Sequence, residues 1–484
     1  MLTAFVAIYL LITISIGLYA ARRVHSSSDY VVAGRSLPLY ITVATVFATW
    51  FGSETVLGIS STFLEEGLGG IIADPFGAAM CLILVGLLFA GPLYRMKLLT
   101  IGDFYRRKYG RTIEVLVSLA IMISYLGWVG AQISALGIVL SVVTNGALTP
   151  EAGMMIGGAI VLGYTLFGGM WSVAITDFMQ MIMITIGMII IGYFVSNKAG
   201  GVDVVISHAA EAGKFSNFFP EMTLPALLGF LAAWVTMGFG SIPQQDVFQR
   251  VMSAKDEKTA IRGSIMGGSL YLVFAFIPIF LAYSAFIIDP TLVEKWLEED
   301  SQMILPNLIL THTPILVQIM FFGALLSAIM STASGTLLAP SAIFAENILK
   351  SLMPHLKDSQ FLLMLRATVV CFAVIVVFYA LKSDLSIFAM VENAYKVTLA
   401  AAFVPLLAGV YWKRANTAGA TLSIIFGVGT WLMLEAVAPE GTMPPQLGGL
   451  LAAFIGMGLG GYIGKQHGDY HHHTHVATEE PAKE

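Results

Sequence analysis

The sequence predicts an all-α polytopic membrane protein, and three observations predict it. Of the 484 residues, 57% are hydrophobic and only 11% are charged, less than half of the ~25% charge usual in soluble domains. The apolar residues are gathered in continuous runs of helix length, and a crossing helix needs ~20 of them. A β-barrel would instead show ten-residue alternations. Finally, the basic residues collect on one side of those runs, as the positive-inside rule requires. A soluble enzyme and a single-anchor receptor are excluded, and no basic stripe suits nucleic acid.

Dividing the chain at charged and Pro/Gly-rich punctuation gives spans near 3–20, 38–60, 75–94, 115–143, 153–168, 174–195, 224–244, 264–287, 313–346, 361–381, 385–411, 418–438 and 446–464. The first is expected to be a retained helix and not a signal peptide, because no basic residue precedes it and Arg22-Arg23 follow it. With the N-terminus outside, the inner segments hold twenty of the 25 Lys and Arg residues, among them Arg35, Arg95, Arg250 and Lys465. The outer segments hold Lys198, Lys214, Lys295 and Lys382. Thirteen crossings, N-out and C-in, follow.

Two spans carry small residues and ionisable groups where a charge needs a polar pathway to face. One is Ala48-Thr49-Trp50-Phe51-Gly52-Ser53-Glu54-Thr55; the other is Gly238-Phe239-Gly240-Ser241-Ile242-Pro243-Gln244-Gln245-Asp246. Both contain Phe-Gly-Ser five spans apart, so they correspond in two five-span halves of opposite orientation. Paired interruptions of this kind point to a midplane binding site in inverted-repeat transporters. In the ninth span, Ala328, Ser331 and Thr332 share one helical face. Two hydroxyls, a carbonyl there and unwound carbonyls near Ala48 and Phe51 suit a small hard cation; taken alone, the same two hydroxyls are better explained by ordinary helix packing.

Other features read structurally. Cys81 and Cys371, the only cysteines, lie in apolar stretches and are expected to be small buried residues. Glu392 and Lys396 are spaced for an ion pair or gate. Asp74 before Pro75 is expected to cap the third span at the outer surface. Gly456, Gly458 and Gly461 match a dinucleotide pattern by letters but fall inside an apolar span, where glycines serve packing. His467, His471, His472, His473 and His475 are expected in a disordered, solvated tail. There is no Gly-x-x-x-x-Gly-Lys-[Ser/Thr] loop for a primary pump, and no catalytic constellation.

At the residues Tyr164–Ser172, with Gly168-Gly169 and Ser172, then Thr176-Asp177-Phe178-Met179-Gln180, the chain resembles the sodium:solute symporter family. Gly409-Val410, Arg414, Gly419-Ala420, Ser423 and Gly427-Val428-Gly429 resemble that family's second signature, and Gln249-Arg250 also fits. Pro150 departs from the first signature. The resemblance implies a leucine-transporter-type five-plus-five inverted repeat with one helix before it and two after it. The expected division is 1–37 (first helix and inner loop), 38–195 and 196–411 (the two repeats), 412–466 (two extra helices) and 467–484 (cytoplasmic tail). It also implies a sodium site on the carbonyls of Ala48, Phe51 and Ala328 and the hydroxyls of Ser331 and Thr332. Some members bind a second sodium through an aspartate and a Ser-Ser pair; here those positions read Asp177 and Ser334-Gly335.

Within the family the choline transporter branch is similar at Thr45–Gly52, at Gly240–Pro243 with Phe248–Val251, and at Trp128 with Ser134–Gly137. A quaternary ammonium takes an aromatic cage, and Trp50 and Trp128 match two tryptophans of that branch. Gln244 stands at the third, with Trp234 ten residues upstream. Glu54, Gln245 and Asp246 complete a set of substrate-binding residues suited to amines, hydroxyls or an amino acid. The expected function is sodium-coupled import of a small polar organic solute, a quaternary or primary amine or an amino acid, across the inner membrane of a bacterial cell. The alternatives are a solute-binding membrane sensor, a sodium leak, or a transporter of a sugar or carboxylate.

Overall fold

The computed structural model describes residues 1–353 and 355–463; Lys465 and the histidine-rich tail lie outside the described residues. The main helices are α1 (Leu2–Ala20), α2 (Leu39–Trp50), α3 (Ile59–Glu66), α4 (Ala78–Leu84), α5 (Ile101–Tyr109), α6 (Arg111–Val143), α7 (Pro150–Lys198) and α8 (Leu224–Gly240). They continue as α9 (Gln245–Met252), α10 (Glu257–Tyr283), α11 (Ile315–Ile343), α12 (Asp358–Lys382), α13 (Ile387–Thr398), α14 (Thr417–Val437) and α15 (Pro445–Ile463).

Among the described residues, ten helical runs are long and apolar enough to cross a membrane, or eleven when α8 and α9, bent by 50° at their junction, are one span. Two of the ten, Glu54–Arg95 and Pro150–Lys198, contain 42 and 49 residues. At 1.5 Å per residue they would extend ~63 and ~74 Å, about twice the ~30 Å hydrocarbon core. Each is interrupted. Gly67 (φ +70°) and Asp74 (φ −140°, ψ 123°) divide the first; Gly169 (φ +48°, ψ −137°) divides the second, between the expected spans 153–168 and 174–195.

Gly169 has a physical reason to be glycine. Its backbone sits where L side chains rarely go, and a Cβ there would strike the Tyr30 carbonyl and lie 2.7 Å from the Tyr30 ring. The short helix carrying Tyr30 starts at a capping box in which Ser26 and Asp29 satisfy each other's backbone N–H. Thr149 caps α7, with Pro150 at its first position.

The centre is built from helices apolar on all faces, the pattern of a buried helix. In their most apolar stretches α6 is 78% and α11 72% buried, against 17% for α14. Small residues on α11 let neighbours approach its backbone closely, and Tyr164 of α7 donates to the Met330 carbonyl at 2.7 Å. Glycines close the α14–α15 pair in the same way: a Cβ on Gly460 would lie 2.5 Å from Gly419 Cα.

Several expectations are corrected. Arg250, assigned to an inner loop, is buried within α9. Cys81 is buried, but Cys371 is exposed on an outward apolar face with Val370, Val374 and Phe378, as lipid contact requires. Asp74 does not cap at the surface; it is fully buried and accepts a hydrogen bond from Tyr271. Glu392 and Lys396 form no ion pair among the described residues.

Gly169→Ala should lower folding stability by ~2 kcal/mol or more through strain and collision. Gly163→Ala, on the same helix with open space at the Cβ position, should be nearly neutral. Thermal unfolding of the two purified variants in detergent measures the difference; equal midpoints would refute the assignment of strain to residue 169.

Candidate functional site

Both interruptions read from the sequence are breaks in the helical ladder. At the first, α2 stops at Trp50 and a wound segment resumes at Glu54. Gly52 N–H, which would have closed on the Ala48 carbonyl, turns to Trp50 O at 2.9 Å. Ser53 N–H donates to Gln132 Oε1 on α6 at 3.0 Å. The Ala48 carbonyl is thereby released from the helix, and the Thr332 hydroxyl of α11 donates to it at 3.1 Å, with Ser331 Oγ 3.5 Å away.

The second break repeats this design. Pro243 has no N–H, Gln244 N–H turns to Ser241 O at 3.1 Å, and the released Gly240 carbonyl accepts from the Thr398 hydroxyl of α13 at 2.6 Å. A threonine from a neighbouring helix therefore meets the freed carbonyl at each Phe-Gly-Ser.

Ala48, Phe51, Ala328, Ser331 and Thr332 are all fully buried, with the last three on one face of α11. Oxygens about a hard cation at ~2.3–2.6 Å stand roughly 3.3–3.7 Å apart. The Ala48 carbonyl's spacings of 3.1 and 3.5 Å to the two hydroxyls lie near that edge, so these three oxygens are compatible with a hard cation between them. Ser331 also donates to Asp177 Oδ1 at 2.6 Å.

Beside this position lies a buried ion-pair cluster. The Arg250 guanidinium, 1% exposed, is 3.6 Å from Asp177 and 3.6 Å from Asp246. It also covers Gly335, where a Cβ would collide with its terminal nitrogens. Ser334 Oγ donates to the Ser331 carbonyl at 3.0 Å, so its bond runs along its own helix. Asp246 further accepts from Tyr125 OH at 2.5 Å while its N–H donates back to the same oxygen at 2.8 Å.

Trp50 and Trp128 stack with centroids 5.2 Å apart. Tyr395 of α13 closes the group at 5.2 and 5.4 Å from the two indoles, and Tyr125 stacks on Trp128 at 5.9 Å. Gln244 lies at this end of α6, donating to Ser124 at 3.0 Å and Thr398 at 3.3 Å. Gln245 turns away: its Oε1 accepts from Ile101 N–H at the start of α5 at 2.7 Å. Trp234 packs on Phe76 and Phe230 and does not join the stack. Tyr125 and Gln132 were missed in the sequence, although both sit at helical spacing from Trp128. Tyr395 carried no comparable signal.

Residues 30–427 match the model of the sodium:solute symporter family. The chain is 28% identical over 466 residues to high-affinity choline transporter 1 of Caenorhabditis elegans, spanning 92% of this chain and 79% of that protein. To the sodium/pantothenate symporter of Haemophilus influenzae it is 25% identical over 454 residues, 90% of each chain. A Na+-coupled sialic acid symporter in a substrate-bound outward-open state is similar in structure, with a TM-score of 0.82 at 22% identity over 96% of this chain and 98% of that one. MhsT in complex with L-phenylalanine gives a TM-score of 0.55 at 13% identity, over 88% of this chain and 98% of that one. The two structural likenesses show the fold.

Removing one partner of a buried ion pair costs ~3–5 kcal/mol because the other charge is stranded. Arg250→Ala should therefore destabilise strongly, and adding Asp246→Asn to it should recover part of the loss. Denaturation of the single and double variants decides this; no recovery would mean that Arg250 acts by packing alone.

Proposed function

The chain belongs to the sodium:solute symporter family, and on that premise we propose that it imports a small amine or amino acid together with sodium by alternating access. It is a multi-pass membrane transporter and not an enzyme. In this reading the chain crosses an inner cell membrane thirteen times, N-out and C-in. The two broken helices belong to inverted repeats over 38–195 and 196–411, followed by two further helices within 412–466.

The observation that carries the reading is the Ala48 carbonyl, freed by the first break and met by the Ser331 and Thr332 hydroxyls of another helix. Sodium is taken by the carbonyls of Ala48, Phe51 and Ala328 and those two hydroxyls. An ion there links α2 to α11 and stiffens the break that also carries Trp50. Substrate bound at Trp50 and Trp128 is then coupled to sodium by linkage, typically ~1–3 kcal/mol. The choline-transporter relatives and the aromatic group support an amine. A single sodium per cycle is proposed, because the Arg250 guanidinium beside Asp177 and over Gly335 supplies the positive charge that a second ion between Asp177 and Ser334 would bring.

Sodium at a hundred times its dissociation constant stabilises a one-site protein by ~2.7 kcal/mol. The double variant Ser331→Ala/Thr332→Ala should lose this stabilisation in sodium relative to potassium while keeping its melting temperature in potassium. An unchanged sodium response would remove the site assignment. Trp50→Ala should weaken amine binding at least tenfold, read by titration of the purified protein in sodium; unchanged affinity would reduce Trp50 to a packing role.

A further inference from the structure

Four carboxylates are fully buried near the two breaks: Glu54, Asp74, Asp177 and Asp246. Arg250 serves Asp177 and Asp246, and Asp74 takes the Tyr271 hydroxyl. Glu54 has no cationic partner among the described residues. A buried carboxylate without one is costly, and a positive charge from outside the chain would offset that cost.

Glu54 is also held in place. Gln132 donates to its Oε2 at 2.6 Å and, through its own carbonyl oxygen, accepts from Ser53 N–H at 3.0 Å. That clamp fixes one carboxylate oxygen and leaves Oε1 without a hydrogen-bond partner. Around it stand other fully buried polar atoms, Ser53 Oγ, Trp50 Nε1 and Tyr395 OH without partners, and the Trp128 indole N–H is directed at the Glu54 carboxylate. Glu54 faces the sodium position as well, for its Oε2 and Thr332 Oγ1 are both 2.6 Å from the point a Gly52 Cβ would occupy. The carboxylate thus lies between the proposed sodium ligands and the aromatic group.

We infer that Glu54 is the anionic anchor of the substrate and selects ammonium groups that carry at least one N–H. This rests on the symporter reading above and names the substrate class of the same site. Oε1 is an open acceptor, and a charge-assisted N+–H···O− bond is short and roughly twice as strong as a neutral one. A quaternary ammonium has no N–H to offer; it relies on aromatic faces, and on one side of the group Gln244 presents an amide already bonded to Ser124 and Thr398. Glu54 also lies between two positive charges, sodium and the ammonium, and offsets their repulsion. A substrate carboxylate is therefore unnecessary for coupling, and of the two classes proposed above, amine and amino acid, the site favours the amine.

The test is a methylation series (ethanolamine, N-methylethanolamine, N,N-dimethylethanolamine and choline) titrated calorimetrically into the full-length purified protein in sodium. Affinity should fall along the series, with a drop of tenfold or more at the last step, where the final N–H is lost. Glu54→Gln should weaken every member of the series, ethanolamine by at least tenfold more than choline, because the amide removes the charge for all of them but the charge-assisted N–H bond only for those that carry an N–H, and so flatten the series. Glu54→Asp, which keeps the charge, should preserve the order at lower affinity, and serves if the amide variant folds poorly. Choline binding as tightly as ethanolamine, or a series unaffected by Glu54→Gln, overturns the inference. Sodium stabilisation with no member binding overturns it too and leaves the symporter reading standing, whereas loss of sodium stabilisation in the wild-type chain overturns that reading instead.

Discussion

A main chain interrupted inside an apolar bundle must find new partners for the groups its helix no longer satisfies, and the architecture around the two breaks follows from that need. Buried backbone polar groups are almost always paired, and hydrocarbon offers nothing in water's place. Here the partners come from other helices: Thr332 and Gln132 at the first break, Thr398 at the second. Each of these bonds also fixes the distance between a broken helix and an intact one. The same carbonyls and hydroxyls that keep the protein folded are oxygen donors of the kind a hard cation takes, so structural repair and the proposed cation binding draw on one set of atoms.

The two broken helices are joined as well. Leu37 N–H donates to Ser253 O at 3.0 Å and Lys255 N–H returns to Leu37 O at 2.9 Å, clasping the start of α2 to the end of α9. Arg250 on α9, meanwhile, reaches Asp177 on α7. The halves of the site are tied by backbone at one end and by buried charge at the middle, which favours movement of the group as a body over independent fraying.

Much of this was legible in the sequence. Small residues, ionisable groups and the Phe-Gly-Ser pair placed the breaks within residues 48–55 and 238–246, and the ladder opens inside both segments, at 51–53 and 241–244. The Ala328, Ser331 and Thr332 face follows from helical period alone. What the sequence could not convey was partner choice across helices. Arg250 resembled loop charge because its carboxylates are 73 residues upstream on α7 and one turn back on its own helix. Asp74 resembled a cap because Tyr271 is distant in sequence. Gln245 resembled a pocket residue, yet a free N–H at the start of α5 claims it. Tyr395 enters the aromatic group only through the packing of α13 against α6.

That aromatic group has a thermodynamic consequence. Trp50, Trp128 and Tyr395 are already shielded from water and stack directly on one another. A substrate that parts them exchanges ring–ring contact for ring–ligand contact and desolvates almost nothing of the protein. Apolar surface removed from water is what makes the heat capacity of binding negative, so nearly all of that signature will come from the ligand itself. At the proposed substrate site, the heat capacity change of binding would measure the guest and not the host.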